Sequence, residues 1–227
     1  MIEAIVTDIE GTTSSLSFVK DELFPYARNK LAEFVRARRS DPDVVRILEE
    51  TSHQAGEELD EDSAIALLVR WSDEDRKYTP LKALQGLIWE AGYHEGALRG
   101  HIYEDAARKL RVWHERGLRL YVYSSGSVHA QKLLFRHTAY GDLTPLFSGY
   151  FDTRSGAKQE SESYRRIAGA IDLPPENILF LSDILAELDA ARAAGLATCW
   201  LTREGEPALQ TGHPTVLSFD AIRVNDC

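Results

Sequence analysis

Residues 2–13, IEAIVTDIEGTT, join a short apolar run to two carboxylates, a glycine and two threonines. A brief run rich in β-branched residues that stops at small polar residues predicts a buried β-strand. Asp8 comes just after this run, and Glu10 follows two positions later. Two acidic side chains therefore stand where a buried strand ends, either as caps of a following helix or as functional groups.

The composition limits the classes of protein to which the chain can belong. Its 227 residues suffice for a large domain, or for a core with a smaller accessory domain. A formal net charge of -10 opposes binding to nucleic acid. The two cysteines, Cys199 and Cys227, form neither a disulfide framework nor a zinc motif. With no signal peptide and no apolar stretch long enough to span a bilayer, we expect a cytoplasmic protein without a membrane partner.

Further apolar runs along the chain end in small or polar residues as the first one does. They are LRLYVY at 118–123, NILFL at 177–181, LATCWL at 196–201 and, more weakly, SGYFD at 148–152. Helical patterns lie between them, at 103–117 and 184–195, and each ends at a glycine, Gly117 or Gly195. Alternating strands and helices predict the α/β class, with a doubly wound, Rossmann-like parallel sheet.

The segment from Phe18 to His94 departs from this alternation, because it has several helical patterns and no convincing strand. We expect an inserted helical cap domain at residues 18–99, with the catalytic core formed by residues 1–17 and 100–227. Trp71, Trp89 and Tyr93 in this segment either pack within the cap or line a pocket for an apolar part of a substrate.

Polar residues occur where several of the predicted strands end. In an open parallel sheet, ligands bind outside the carboxyl ends of the strands. Asp8, Ser124 with Ser125, and Asp183 all fall at such ends. Any one of them alone is typical of a helix cap, but their convergence at one edge of a sheet predicts a site.

Four stretches resemble, in order, the motifs of the haloacid dehalogenase-like superfamily. They are DIEGTT at 8–13, YVYSSG at 121–126, Lys158 within GAKQESESY, and ILFLSDILAE at 178–187. Each motif is weak alone, but the order, the spacing and the helical insertion agree over essentially the whole chain. The resemblance implies a Mg²⁺-dependent phosphoric monoester hydrolase with an aspartyl-phosphate intermediate.

The resemblance also implies a role for each matching residue. Asp8 would be the nucleophile. One Mg²⁺ per subunit would be held by Asp8, the main-chain carbonyl of Glu10 and Asp183, which are hard oxygen ligands of the kind Mg²⁺ prefers.

Phosphate binding is implied for a second group of residues. Ser124 or Ser125 would donate a hydrogen bond to the phosphate, and Lys158 would add a positive charge. Glu187 lies one helical turn after Asp183. It would either orient a metal-bound water or simply face the helix dipole.

Glu10 narrows the resemblance, because most phosphatases of the superfamily carry Asp at this position. The stretches at 8–27, 123–135 and 158–164 are similar to the enolase-phosphatases of methionine salvage, in which Glu is the rule. That family implies a bifunctional enzyme, which enolises 2,3-diketo-5-methylthiopentyl-1-phosphate and then removes its phosphate to leave an acireductone. Asp8 and Glu10 would be catalytic, while the enolisation base stays open, with Glu10 as a candidate. The cap would supply an apolar pocket for the thioether tail.

Other functions stay open at this point. A phosphatase of the same superfamily acting on another small phosphorylated metabolite would share Asp8, Lys158 and Asp183. A non-enzymatic regulatory module would need a degenerate site, and no motif residue is missing. The seven histidines show no metal-binding spacing such as HExxH, and no Walker-type glycine loop occurs. We expect a monomer.

Overall fold

The computed structural model describes residues 1–203 and 212–224. The chain divides into two compact units, one formed by residues 1–16 with 99–227 and the other by residues 17–98. Both boundaries lie one residue before the predicted ones. Within the described residues, no helix is long and apolar enough to cross a membrane.

Among its described residues, the first unit is built on a sheet of six parallel strands. In chain order they are β1 (Ala4–Thr7), β2 (Arg119–Tyr123), β3 (Phe147–Phe151), β4 (Ile178–Ser182), β5 (Ala197–Leu201) and β6 (Thr215–Val216). Their spatial order is β3-β2-β1-β4-β5-β6. This confirms the predicted doubly wound sheet. The sequence pattern did not predict β6, because a strand of two residues shows no periodicity.

In the part of the chain that the structure describes, eight α-helices lie between the strands and within the second unit. They are α1 (Phe24–Ala37), α2 (Pro42–Ala55), α3 (Glu61–Asp73), α4 (Thr79–His94), α5 (Glu104–Glu115), α6 (Val128–Arg136), α7 (Ser161–Ile171) and α8 (Leu185–Ala193). The first four form the second unit, and the last four belong to the first.

Helices cover both faces of the sheet. On one face, α7 and α8 bury a core that includes Ala4, Val6 and Phe180. On the other, α5 packs against β2. Ile5 and Leu179 point to that second face and are fully buried. Burial on both faces explains why the strands read as continuous apolar runs.

The second unit, residues 17–98, holds its aromatic residues in contact with one another. A π-helical turn (Phe18–Leu23) precedes α1. The Trp89 indole N–H donates to the carbonyl of Leu23 at 2.9 Å, and its ring meets Phe24 edge-on at 5.5 Å. Trp71 packs against Tyr78 with ring centroids 4.6 Å apart. These contacts favour the packing interpretation of Trp71 and Trp89.

Replacement by alanine should have opposite effects on stability at two glycines of the first unit. Gly169 lies within α7, where an added Cβ would meet nothing, whereas a Cβ on Gly100 would overlap the Leu134 carbonyl. We expect Gly169→Ala to raise the free energy of unfolding by about 0.5–1 kcal/mol, because alanine favours the helix. We expect Gly100→Ala to lower it. Denaturant titration measures both changes, and destabilisation by Gly169→Ala would contradict the packing described for α7.

Candidate active site

Parallel pairing brings the ends of three strands to one edge of the sheet. In the register of β1 with its neighbours, Thr7 lies opposite both Val122 and Leu181. The Asp8 amide donates to the Leu181 carbonyl at 2.9 Å, which extends this pairing by one residue. Ser124 directly follows β2, and Asp183 directly follows β4. Both therefore lie at the crevice where the strand order reverses.

Lys158 makes two ion pairs inside this edge. Its Nζ lies 2.7 Å from Asp8 Oδ1 and 2.7 Å from a carboxylate oxygen of Glu187. The three side chains are only 9%, 6% and 11% exposed, so this is a buried charge cluster. Asp8 Oδ1 also accepts the amide N–H of Ile9 at 2.7 Å. Two donors therefore hold one carboxylate oxygen of Asp8, and no described residue donates to the other oxygen.

The loop that carries Lys158 is held by three hydroxyl groups. They donate to three consecutive carbonyls: Tyr123 to Gly156 at 3.0 Å, Ser163 to Ala157 at 2.7 Å and Tyr164 to Lys158 at 2.7 Å. Ser163 and Tyr164 belong to α7, and Tyr123 ends β2. Because these side chains are buried in the core, they fix the backbone from which the lysine extends.

The cluster carries more negative than positive charge. Burial lowers the pKa of Lys158, but the carboxylates of Asp8 and Glu187 together outweigh burial and raise it. Burial, and secondarily the charge of Asp8, raises the pKa of Asp183 to about 7. The same two causes raise the pKa of Glu187. Two carboxylates thus share one ammonium group with a third carboxylate, Asp183, nearby, and further positive charge would stabilise their ionised forms.

The predicted magnesium ligands are compatible with this geometry. Gly11 has φ +70°, and a Cβ built on it would overlap the Asp183 carboxylate, so the loop after β1 closely approaches that carboxylate. Two carboxylates and one carbonyl are ligands that suit Mg²⁺, which usually keeps several waters. Such a site needs only two acidic side chains. The described residues contain no group of three or more His, Cys, Asp or Glu arranged for a metal ion.

The structure distinguishes the two serines that the sequence left as alternatives. Ser124 is buried, and its Oγ accepts the amide N–H of Gly126 at 3.2 Å. This bond orients the hydroxyl and leaves its hydrogen available to a ligand. Ser125 is exposed. The side chain of Glu10 is exposed as well, and its backbone forms a β-bridge with Ser14.

Several contributors went unassigned in the sequence. The sequence allows two interpretations of Glu187, and in the structure this side chain lies against Lys158, with Ser182 Oγ donating to it at 3.0 Å. Its spacing of four residues from Asp183 was the available signal. Trp200 was missed because its indole N–H meets the main-chain carbonyl of Asp183, at 2.8 Å, through tertiary structure alone.

Comparison with known proteins agrees with the predicted fold and family. The model of the haloacid dehalogenase-like hydrolase family matches residues 2–195. The crystal structure of the UTR4 protein of Saccharomyces cerevisiae superimposes with a TM-score of 0.84 and is 35% identical, covering 98% of this chain and 100% of that one. A hydrolase of this family is therefore the class that fold and site define.

Similarity to curated proteins extends over the full length. Enolase-phosphatase E1 of Methylococcus capsulatus is 62% identical over 98% of this chain and 98% of its own length. Enolase-phosphatase E1 of Thioalkalivibrio sulfidiphilus is 57% identical over 99% of this chain and 100% of its own. The chain belongs to the haloacid dehalogenase-like hydrolases and, within them, to the enolase-phosphatases.

Gly11→Ala tests the approach of the loop to Asp183. We expect activity to fall by at least about 100-fold, because the new Cβ displaces the Asp183 carboxylate. Gly117→Ala is the matched control, since Gly117 also has positive φ but has open space around it. Both variants should lose about 1 kcal/mol of stability through backbone strain. Thermal unfolding and turnover separate the two effects, and equal activity in the two variants would show that the overlap is harmless.

Asp183→Asn should stabilise the protein in the presence of EDTA. The raised pKa of Asp183 means that the native state binds its proton more tightly than the unfolded state does. The free energy of unfolding therefore falls as the pH rises from about 4 to about 7. The substitution removes this loss, so its gain in melting temperature, about 2–4 °C per kcal/mol, should be larger near pH 8 than near pH 6. Glu176→Gln, at an exposed carboxylate, is the control; a gain independent of pH would contradict the burial argument.

Proposed function

We propose that the chain converts 2,3-diketo-5-methylthiopentyl-1-phosphate, through its enol, to an acireductone and phosphate, the enolase-phosphatase reaction of methionine salvage. Full-length similarity to enolase-phosphatases supports the reaction class. The observation that carries the chemistry is the buried contact of Asp8 with Lys158 at the carboxyl end of β1. We further propose a cytoplasmic monomer.

Asp8 is the nucleophile of the proposed phosphatase step. Oδ1 is held by the amide of Ile9 and by Lys158, so Oδ2 is the oxygen placed to attack phosphorus. Attack forms a bond from Oδ2 to phosphorus and breaks the bond from phosphorus to the ester oxygen, which leaves on the enol. Water then hydrolyses the aspartyl-phosphate and regenerates the carboxylate.

Lys158 and Ser124 bind the phosphoryl group in this proposal. The lysine approaches Asp8 from a loop fixed by hydroxyl groups, so its ammonium stays near the attacked phosphorus. The Ser124 hydroxyl is buried and oriented by the Gly126 amide, and it donates to a phosphoryl oxygen. Ser125 is exposed and plays the lesser part.

Mg²⁺ is the proposed cofactor, held by Asp8, Asp183 and the main-chain carbonyl of Glu10. When bound, it supplies positive charge that stabilises an enolate and the phosphoryl oxygens. The excess of carboxylates over lysine in the cluster supports a divalent cation here. Glu187 forms an ion pair with Lys158 and orients it. Because this pairing raises the pKa of the lysine, its ammonium group stays protonated.

Glu10 has the proposed role of a proton carrier. Its side chain is exposed at the loop after β1. From there it can protonate the departing ester oxygen, and it is also a candidate base for enolisation. A longer side chain than Asp extends the reach of the carboxyl by one methylene group.

One assay tests the proposed function directly. The diketone phosphate is supplied with Mg²⁺, and acireductone absorbance and phosphate release are followed together. We expect both products in equal amounts from the wild-type protein. Phosphate without an enolic intermediate or acireductone would refute the enolase step but not the phosphatase, and comparable turnover of sugar phosphates would indicate another metabolite.

Asp8→Asn tests the nucleophile in the same assay. We expect phosphate release to fall by at least about 1,000-fold, because an amide cannot form the phosphoryl-enzyme. Asp172→Asn, at an exposed aspartate of the same unit, is the matched control and should keep full activity. Trapping of phosphate on the wild-type protein, but not on Asp8→Asn, identifies the covalent step. Full turnover by Asp8→Asn would exclude this mechanism.

A further inference from the structure

Arg203 contacts the loop after β1 from the far end of the chain. It follows β5, and its side chain is only 9% exposed. Its Nε and Nη2 both donate to the main-chain carbonyl of Thr12, at 3.0 Å and 2.7 Å. One edge of the guanidinium thus holds a single carbonyl of the loop through two hydrogen bonds.

The remaining surfaces of the guanidinium are also in contact with the protein. Nη1 pairs with Asp105 Oδ2 at 2.6 Å, and the same oxygen accepts the amide N–H of Phe219 at 2.7 Å. The guanidinium carbon lies 4.1 Å from the ring centroid of Tyr103 and 5.1 Å from that of Phe219. The ion pair, the hydrogen bonds and the ring contacts together hold the guanidinium in a single orientation.

The carbonyl that Arg203 holds belongs to a tightly closed turn. The Thr13 hydroxyl donates to the Asp8 carbonyl at 3.1 Å, and the Ser14 amide donates to the Ile9 carbonyl at 2.8 Å. Thr12 directly follows Gly11, whose backbone lies against the Asp183 carboxylate. A displacement of the Thr12 carbonyl is therefore transmitted to the residues between Asp8 and Gly11.

We infer that Arg203 is a positioning residue for the reaction: it acts through the Thr12 carbonyl to hold the loop that carries Asp8 and Glu10. The effect on turnover rests on the proposed function, whereas the effect on the loop does not. A lysine cannot replace it, because a single ammonium lacks the planar donors that reach Thr12 and Asp105 together.

The first test compares turnover in Arg203→Lys, Arg203→Ala and Arg108→Ala. Arg108 makes a similar pair with Asp220, at 2.6 Å, but on the exposed surface. With the diketone phosphate and Mg²⁺, we expect kcat to fall about 10-fold in Arg203→Lys and about 100-fold in Arg203→Ala, with KM changed less than about 3-fold. Millimolar guanidinium should partly restore kcat in Arg203→Ala. Arg108→Ala should match the wild type.

The second test follows hydrogen exchange of the peptide spanning residues 8–14. We expect faster exchange in Arg203→Lys than in the wild type and in Arg108→Ala. This measurement reports the effect on the loop without any measurement of activity. Unchanged exchange, or kcat within 2-fold of the wild type, would overturn the inference. If Arg203→Ala does not fold, Arg203→Lys decides. A wild-type protein without turnover would refute the proposed function, and exchange would still decide the role of Arg203.

Discussion

Parallel pairing of β1 with β2 on one side and β4 on the other determines where every proposed reacting group lies. Asp8 continues the central strand. The hydrogen bond from its amide to the Leu181 carbonyl fixes its backbone independently of any contact of its side chain. Asp183 and Ser124 follow the two flanking strands, and helices on both faces keep these strands in register. A shift of one residue in this pairing would turn the nucleophile towards the core.

The charges of the site run against the simplest expectation for an anionic substrate. The chain has a net charge of -10, and the cluster itself holds two carboxylates against one lysine, with the Asp183 carboxylate near them. Lys158 is therefore a shared counterion before any phosphate arrives. Its two partners differ in purpose: Asp8 is the proposed nucleophile, while Glu187 keeps the ammonium charged and oriented. The proposed Mg²⁺ supplies the positive charge that the protein does not.

Much of the sheet and of the candidate site could be predicted from sequence, because buried parallel strands and their polar ends leave local patterns. Asp8, Lys158 and Asp183 were recognised from motifs, although their roles stay predictions. Glu187 had only its helical spacing as a signal. The hydroxyl groups that hold the Lys158 loop, and Arg203, gave no signal, since the loop atoms that they hold are main-chain carbonyls, which every residue possesses.

The bond between Arg203 and Thr12 joins residues 191 positions apart. β1 likewise cannot complete its pairing until β4 has been made, since Ala4 pairs with Ile178. The helices of residues 17–98, by contrast, pack against one another. Contacts that are close in sequence form sooner than distant ones, and synthesis proceeds from the N-terminus. During translation the helical unit can therefore fold first, whereas the loop around the proposed nucleophile closes only after Arg203 has been made.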